Sequence, residues 1–189
     1  MLIRVGYAHP FFEGYIMKNV PQVTFKTRVK NPETDNFDWQ YPTTDDYFAE
    51  KRVIAFSLPG AFTPTCSNFQ VPGYQAMYGD FKALGIDEVY CISCNDAFVM
   101  NAWAKDQRAA DIKFIPDGSC EFTAGMEMVV AKDNLGFGVR SWRYAMIVND
   151  GVIEKMFIEP GKSDDCETDP YGETSPETVR EYLREVASN

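Results

Sequence analysis

Apolar and polar positions alternate in blocks that predict strands followed by helices through most of the chain. Three short apolar runs, at 53–58, 88–93 and 112–115, are bounded by turn residues and are typical of buried parallel strands. Longer segments between them are predicted to be helical, one from Pro64 to about Leu84 and one that begins after Asn95-Asp96. The apolar side of the second helix is predicted to carry Phe98, Val99, Ala102 and Trp103.

The two ends of the chain are patterned differently from its middle. Strict alternation at 23–29 predicts a strand, a second short strand is predicted at 37–41, and Thr43 or Thr44 is expected to cap a short helix to about Glu50. Residues 121–134 are predicted to be a short helix and a loop.

Near the C-terminus, runs at 141–148 and 152–158 surround Asn149-Asp150-Gly151, which strongly indicates a hairpin. A polar loop at 161–173 leads to a last helix, in which Ser175 is the cap and Pro176 the first residue.

Strands that alternate with helices, followed by a hairpin and a closing helix, indicate an α/β fold with a mixed central sheet between helices. A length of 189 residues is typical of one domain, which we place at 20–189 with added strands at its N-terminal end. Residues 1–19 are predicted to be an N-terminal extension that packs on the body, for example at a subunit interface. Alternatively, the start of the chain is mis-assigned, because residues 17–21 would make an ordinary beginning.

Composition narrows the function classes. A formal net charge of −10 argues against nucleic acid or an anionic membrane surface as a partner, and no apolar run is long enough to span a bilayer. Five cysteines in no regular framework, without a secretory signal, indicate a reducing compartment and hence a cytoplasmic protein. A structural zinc site is not expected, because the one histidine, His9, lies far from any cysteine pair.

The strongest chemical signal is Cys66. The apolar run 53–58 leads into a turn at Pro59, and the helix predicted from Pro64 places Cys66 in its first turn. Free backbone N–H groups and the positive end of the helix dipole favour a thiolate there, and Thr63 can point its hydroxyl at the sulfur. A buried, inert cysteine is the alternative interpretation. Strand, tight turn and cysteine at a helix start are the usual layout of a reactive thiol in a thioredoxin-like fold.

The stretch PGAFTPTCS, followed by VPGY, closely resembles the active-site loop of type II peroxiredoxins. It contains the pattern Pro-x-x-x-Thr-x-x-Cys at Pro59, Thr63 and Cys66. The resemblance continues to about residue 187 and extends to plant type II members and to the peroxiredoxin half of bacterial peroxiredoxin–glutaredoxin fusions. It is carried further by the segments 91–103, 114–123, 135–151 and 154–160.

This resemblance implies a thioredoxin-like fold and a thiol peroxidase that needs no cofactor. Hydrogen peroxide and small alkyl hydroperoxides would oxidise Cys66 to a sulfenic acid, which glutaredoxin with glutathione, or thioredoxin, would reduce again. Members of the family commonly form homodimers. The alternatives are a peroxide sensor that passes oxidation to a partner protein, and a disulfide oxidoreductase. The second is disfavoured because Thr63 occupies the place of a second cysteine.

The resemblance also assigns roles to side chains. Thr63 would hydrogen-bond the sulfur and the peroxide. The plainer interpretation is that its hydroxyl only bonds the backbone of its own turn. Pro59 would shield the thiolate from water. Arg143 matches the arginine that reaches the active site, whereas Arg140 is expected to make a surface or interface ion pair. Gln70 stands where many members have histidine, and this difference is expected to alter the rate or the pH optimum without abolishing activity.

The cysteine that resolves the sulfenic acid is not determined by the sequence. Cys91 lies 25 positions after Cys66, as the second cysteine of plant members does, and Cys166 lies near the C-terminal-side resolving cysteine of some members. Buried strand residues are the alternative interpretation of Cys91 and Cys94, which strand alternation places on opposite faces. Cys120 is expected to be a bystander. Without a resolving cysteine, glutathione would take the sulfenic acid, and a separate glutaredoxin would then be required.

Overall fold

The computed structural model describes residues 19–188, so all of the predicted N-terminal extension except Asn19 lies outside the described residues. In chain order the elements are β1 (Thr27–Lys30), β2 (Phe37–Gln40), α1 (Thr44–Phe48), β3 (Arg52–Ser57), the π-helical turn Cys66–Gln70, α2 (Val71–Ala76), α3 (Tyr78–Ala83), β4 (Glu88–Ser93), α4 (Ala97–Gln107), β5 (Ile112–Pro116), α5 (Glu121–Gly125), β6 (Val129–Ala131), a 3₁₀ turn (Asp133–Leu135), β7 (Val139–Ser141), β8 (Tyr144–Asn149), β9 (Val152–Ile158) and α6 (Pro176–Ala187).

The main sheet has five strands in the order β5-β4-β3-β8-β9. β3, β4 and β5 are parallel, whereas β8 and β9 run antiparallel to their neighbours. This is the mixed sheet between helices that the sequence predicts for a thioredoxin-like fold. The most central strand, β3, leads directly into the loop that carries Cys66.

Strand alternation divides the apolar side chains of β3 between two cores. Ile54 and Phe56 belong to one core, which the helices α2, α3, α4 and α6 cover. Val53 and Ala55 belong to the other, which α1, α5 and the chain before β1 cover. In the first core Phe56 stacks on Tyr74 with ring centroids 4.1 Å apart, which fixes α2 on the sheet just after the Cys66 turn.

The predicted hairpin between β8 and β9 is confirmed. Asp150 and Gly151 have φ angles of 49° and 75°, as a two-residue turn with both central residues left-handed requires. The strand predicted from Ser141, however, divides in two. β7 ends at Ser141 and pairs with β6, and after Trp142 and Arg143 the chain enters the main sheet as β8. Trp142 N donates to Met128 O at 2.7 Å, and this bond fixes the two-residue connection between β7 and β8.

The first strand begins later than predicted, at Thr27 rather than residue 23. Hydrogen bonds to Thr44 at the start of α1 hold residue 23 instead, because Val23 N donates to Thr44 Oγ1 and Thr44 N to Val23 O, each at 3.0 Å. Thr43 is the N-cap of α1, with Asp46 completing a capping box, as one of the two predicted alternatives.

Two helix predictions need correction. The helix predicted as continuous to Leu84 is interrupted at Met77, where φ and ψ are −97° and 4°. In α4 the buried residues are Ala97, Met100 and Trp103. The predicted apolar side was therefore wrong for Phe98 and Ala102, which are exposed, because the face that meets the sheet begins one residue earlier.

Candidate active site

The sheet register brings Cys66 and Arg143 together. Ser57, the last residue of β3, pairs with Tyr144, the first of β8. Arg143 therefore lies beside the point where β3 passes into the Pro59 loop. These two candidate site residues are 77 positions apart in sequence, and the pairing of β3 with β8 brings them together.

Cys66 opens a turn that is wider than an α-helix. Residues 64 and 65 are helical as predicted, Cys66–Gln70 then form a π-helical turn, and Val71 N donates to Cys66 O. We attribute the widening to Pro72, which has no N–H to continue the ladder and whose ring crowds the carbonyl of Asn68. Such single π turns are frequent at functional sites. Here the turn buries Cys66 and Gln70 completely.

The guanidinium of Arg143 bridges these two side chains. Its Nη1 donates to Cys66 Sγ at 3.4 Å and also to Gln70 Oε1. Burial lowers the pKa of Arg143, whereas the sulfur of Cys66 and the carboxylate of Asp169 raise it, and the net shift is upward. Arg143 is thus a permanent cation against a buried sulfur, as the resemblance implied. The amide Nε2 of Gln70 is buried without a partner among the described residues.

The 161–173 loop holds Arg143 from its other side. Arg143 Nη2 pairs with Asp169 Oδ1 at 2.5 Å, Nε donates to Pro170 O at 3.0 Å, and the guanidinium carbon lies 5.7 Å from the ring centroid of Tyr171. The sequence identified this loop only as polar. These three contacts, with those to Cys66 and Gln70, leave the guanidinium little freedom to rotate, which fixes its fork toward the sulfur.

Glu159, buried at the end of β9, anchors the end of this loop. Its Oε1 accepts from Gly172 N, Thr174 N and Thr174 Oγ1, each at 2.8 Å. Thr174 O in turn accepts from the hydroxyl of Tyr74 on α2 at 2.8 Å. One carboxylate thus joins the Arg143 loop to the helix that follows Cys66. Sequence reasoning missed Glu159 because its partners lie more than ten residues away.

Replacing Glu159 with alanine is expected to lower the free energy of unfolding by about 3 kcal/mol, since buried donors that lose their acceptor cost about 1–3 kcal/mol each. Urea unfolding measures the loss. Glu159→Gln is the matched control, because its amide oxygen can still accept these bonds. Equal stability of the alanine and glutamine variants would show that the carboxylate does not anchor the loop.

The other predicted site residues, Pro59 and Thr63, lie in the loop between β3 and Cys66. Pro59 is buried, and the hydroxyl of Thr63 donates to Gly60 O at 2.7 Å, the turn bond of its plainer interpretation. An oxygen that donates can still accept, so its role toward a peroxide stays a prediction. The ion pair predicted for Arg140 is not found among the described residues. Arg140 instead donates to Phe137 O at 3.1 Å and Pro59 O at 3.5 Å, so it contacts the backbone of the active-site loop.

The two predicted resolving cysteines lie in opposite environments. Cys91 is fully buried in the core cluster that contains Cys66, within the paired strand β4, and burial raises the pKa of its thiol well above the ordinary value. Cys166 lies on the partly exposed 161–173 loop, where hydrogen bonds from Thr168 lower its pKa. Cys94 is not in the Cys66 core and contacts Thr123, so Cys91 and Cys94 do have different surroundings.

We expect Cys166 to react with iodoacetamide at lower pH than Cys120, whose thiol pKa burial raises. A lowered pKa means that more thiolate is present at a given pH, and the thiolate is the reactive form. Peptide mass spectrometry across a pH series measures both rates. In Thr168→Ala the Cys166 profile should move to higher pH, and an unmoved profile would contradict the assigned cause.

Within residues 19–188 no group of three or more His, Cys, Asp or Glu side chains could hold a metal ion, and no helix of that part is long and apolar enough to cross a membrane. The candidate site itself consists of a buried sulfur beside a guanidinium held by several contacts, an arrangement that can act as a nucleophile with a donor for a developing negative charge.

Comparison with known proteins agrees with this geometry. The model of the Redoxin family matches residues 19–172. A peroxiredoxin of Rhizobium etli is 57% identical over 173 residues, which are 90% of this chain and 97% of the relative. The chain belongs to the peroxiredoxin family. This peroxiredoxin is an enzyme, a thiol-dependent peroxidase.

Two further proteins show how far the similarity extends. The hybrid peroxiredoxin hyPrx5 of Haemophilus influenzae is 50% identical over 166 residues, 88% of this chain and 65% of that longer protein. A crystal structure of the Plasmodium falciparum antioxidant protein, a 1-Cys peroxiredoxin, superposes with a TM-score of 0.84 at 36% identity and covers 88% of this chain and 98% of that one. The resemblance inferred from the motifs is thereby confirmed.

Proposed function

We propose that this peroxiredoxin reduces hydrogen peroxide and small alkyl hydroperoxides through a sulfenic acid on Cys66. The observation that carries the proposal is the contact of Arg143 Nη1 with Cys66 Sγ at 3.4 Å. Both residues are almost completely buried, at 1% and 0% exposure, so their attraction is weakly screened. No other cysteine of the described residues has an arginine hydrogen-bonded to its sulfur.

The chemical step follows from this pair. The Cys66 thiolate attacks one oxygen of the peroxide, the S–O bond forms and the O–O bond breaks. The leaving hydroxide or alkoxide takes a proton to become water or alcohol. Arg143 cannot supply that proton at neutral pH, but its fork stabilises the negative charge that develops on the leaving oxygen. Because Cys66 is buried, small hydroperoxides are the substrates we expect to reach it.

For re-reduction we propose an external thiol, glutathione with glutaredoxin, and take thioredoxin as the alternative. Cys91 would have to leave a paired central strand, and burial raises the pKa of its thiol, so it is a poor internal nucleophile. Glutathione attacks the sulfenic sulfur and water leaves. A second glutathione, in the exchange that glutaredoxin catalyses, then attacks the glutathione sulfur of this mixed disulfide, the bond to Cys66 breaks, and the Cys66 thiol is released with glutathione disulfide as the product. The similarity to part of a hybrid peroxiredoxin supports a glutaredoxin partner.

Coupled assays that follow NADPH oxidation test both halves of this proposal. Turnover of hydrogen peroxide and tert-butyl hydroperoxide with glutathione, glutaredoxin and glutathione reductase is expected. Turnover with thioredoxin and thioredoxin reductase alone would reject the glutathione route and indicate a two-cysteine cycle through Cys91 or Cys166. If the protein consumes only one equivalent of peroxide, and neither reducing system supports further turnover, the result would indicate the peroxide sensor instead of the enzyme. A homodimer and a cytoplasmic location stay predictions.

A further inference from the structure

The turns that follow β4 and β5, two neighbouring parallel strands, lie against each other. Ser93 pairs with Pro116, and Asp117 N donates to Ser93 O at 2.9 Å. A Cβ added to Gly118 would lie 3.3 Å from the Cα of Asp96, so the turn after β5 rests directly on the turn after β4. Each of these turns carries one cysteine that the proposed peroxidase cycle does not use.

The side chains of the two cysteines, Cys94 and Cys120, lie near enough to influence each other. The Cys94 thiol donates to Thr123 Oγ1 at 3.4 Å, Thr123 lies in the first turn of α5 just after Cys120, and each thiol shifts the pKa of the other. Cys120 has a left-handed backbone, with φ of 54°, which turns the chain back at the start of α5. Its N donates to Asp117 O at 2.8 Å. Cys94 is 8% exposed, whereas Cys120 is only partly buried, so solvent reaches the pair from the Cys120 side.

We propose that Cys94 and Cys120 form a second redox centre, a dithiol that excess hydrogen peroxide oxidises to an intramolecular disulfide. Two thiols on adjoining turns can reach the bonded S–S distance of about 2 Å by a local adjustment of these turns and side chains. The close approach of the Gly118 turn to the backbone of Asp96 keeps the two segments side by side. This centre is separate from Cys66 and does not depend on it.

The reaction balances with peroxide as the oxidant. The more accessible Cys120 sulfur attacks one peroxide oxygen, the O–O bond breaks, and Cys120 becomes a sulfenic acid while the first water leaves. Cys94 then attacks the Cys120 sulfur, the S–S bond forms, the S–O bond breaks, and the second water leaves. The two thiols lose two electrons and two protons, and one peroxide becomes two waters.

We expect the pair to react more slowly than Cys66, and its neighbours contact the active-site loop. Burial raises the pKa of both thiols, which keeps them protonated and slow at neutral pH. Asn95, the neighbour of Cys94, accepts at Oδ1 from Ala61 N in the active-site loop at 2.9 Å. Arg140, which contacts Pro59 O in that loop, also favours the thiolate of Cys120. Closure of the disulfide would therefore occur beside the backbone that positions Cys66.

The test uses the Cys66→Ser protein, which retains four of the five cysteines. Reduced protein is treated with excess hydrogen peroxide, its free thiols are blocked, and the digested peptides are analysed by mass spectrometry. Trypsin separates 83–105, which holds Cys91 and Cys94, from 114–132, which holds Cys120. We expect these peptides linked, with fragmentation that assigns the bond to Cys94, and the protein still monomeric on a non-reducing denaturing gel.

Cys94→Ser and Cys120→Ser in the same background are the matched variants, and each should lose the linked peptide. Serine is similar to cysteine in size. Because Cys120 is partly exposed, we expect Cys120→Ser to retain the fold. The proposal is overturned if Cys94 and Cys120 remain free thiols, if the link joins Cys91 instead, or if it joins two chains. Because Cys66 is absent, any of these results leaves the proposed peroxidase function untouched.

Discussion

Replacing Cys66 with serine is expected to abolish peroxide turnover. The serine hydroxyl keeps the size of the side chain but is a far weaker nucleophile at neutral pH, and it cannot cycle through a sulfenic acid. Arg143 would remain opposite the new hydroxyl. The variant would therefore keep the group that stabilises negative charge but would lack the sulfur that reacts. Consumption of hydrogen peroxide in the glutathione-coupled assay measures the loss.

Cys120→Ser is the matched control for this experiment. It removes one thiol from the same protein without touching the Cys66 turn, and it should retain turnover. Far-UV circular dichroism and urea unfolding establish that both variants are folded. Undiminished peroxide consumption by folded Cys66→Ser protein would refute Cys66 as the nucleophile.

Replacing Arg143 with alanine is expected to slow the reaction with peroxide by about 10²-fold, the scale of removing one donor that stabilises developing charge. Stopped-flow measurement of the second-order rate with hydrogen peroxide isolates this step from re-reduction. Arg143→Lys keeps the charge but lacks the planar fork, so its rate should lie between those of the alanine variant and the native protein.

The controls for Arg143 address both folding and non-specific charge. Alanine leaves Gln70 Oε1 buried without its donor, a cost of about 1–3 kcal/mol, so the free energy of unfolding is measured in parallel. Arg184→Ala removes an exposed arginine on α6 and should leave the rate unchanged. If Arg143→Ala reacts as fast as Arg184→Ala, the guanidinium has no role in the peroxide step.

Local chemistry explains which parts of the fold were predictable. The Asn149-Asp150-Gly151 hairpin and the Ser175 cap with Pro176 depend on the conformations of adjacent residues, and both are present as predicted. The start of the first strand was not predictable, because hydrogen bonds between Val23 and Thr44, about twenty residues away, decide it. The interruption at Met77 also carries no strong local signal.

In the active site, too, the residues set by local sequence were predictable and those set by distant contacts were not. The sequence alone placed Cys66 at a helix start after a strand, and the structure has it there. Arg143 was assigned only through the family pattern, since the pairing of Ser57 with Tyr144 that positions it is a property of the whole sheet. Asp169 and Glu159 were missed, because nothing near them in sequence indicates which arginine or backbone they hold.

The most direct test of the central claim is to treat the reduced protein with one equivalent of hydrogen peroxide and a sulfenic-acid trapping reagent, and to map all five cysteines by peptide mass spectrometry. We predict that Cys66 carries the first oxidation, as the trapped sulfenic acid or in a disulfide with Cys91 or Cys166. Oxidation of any other cysteine while Cys66 remains a free thiol would contradict the assignment.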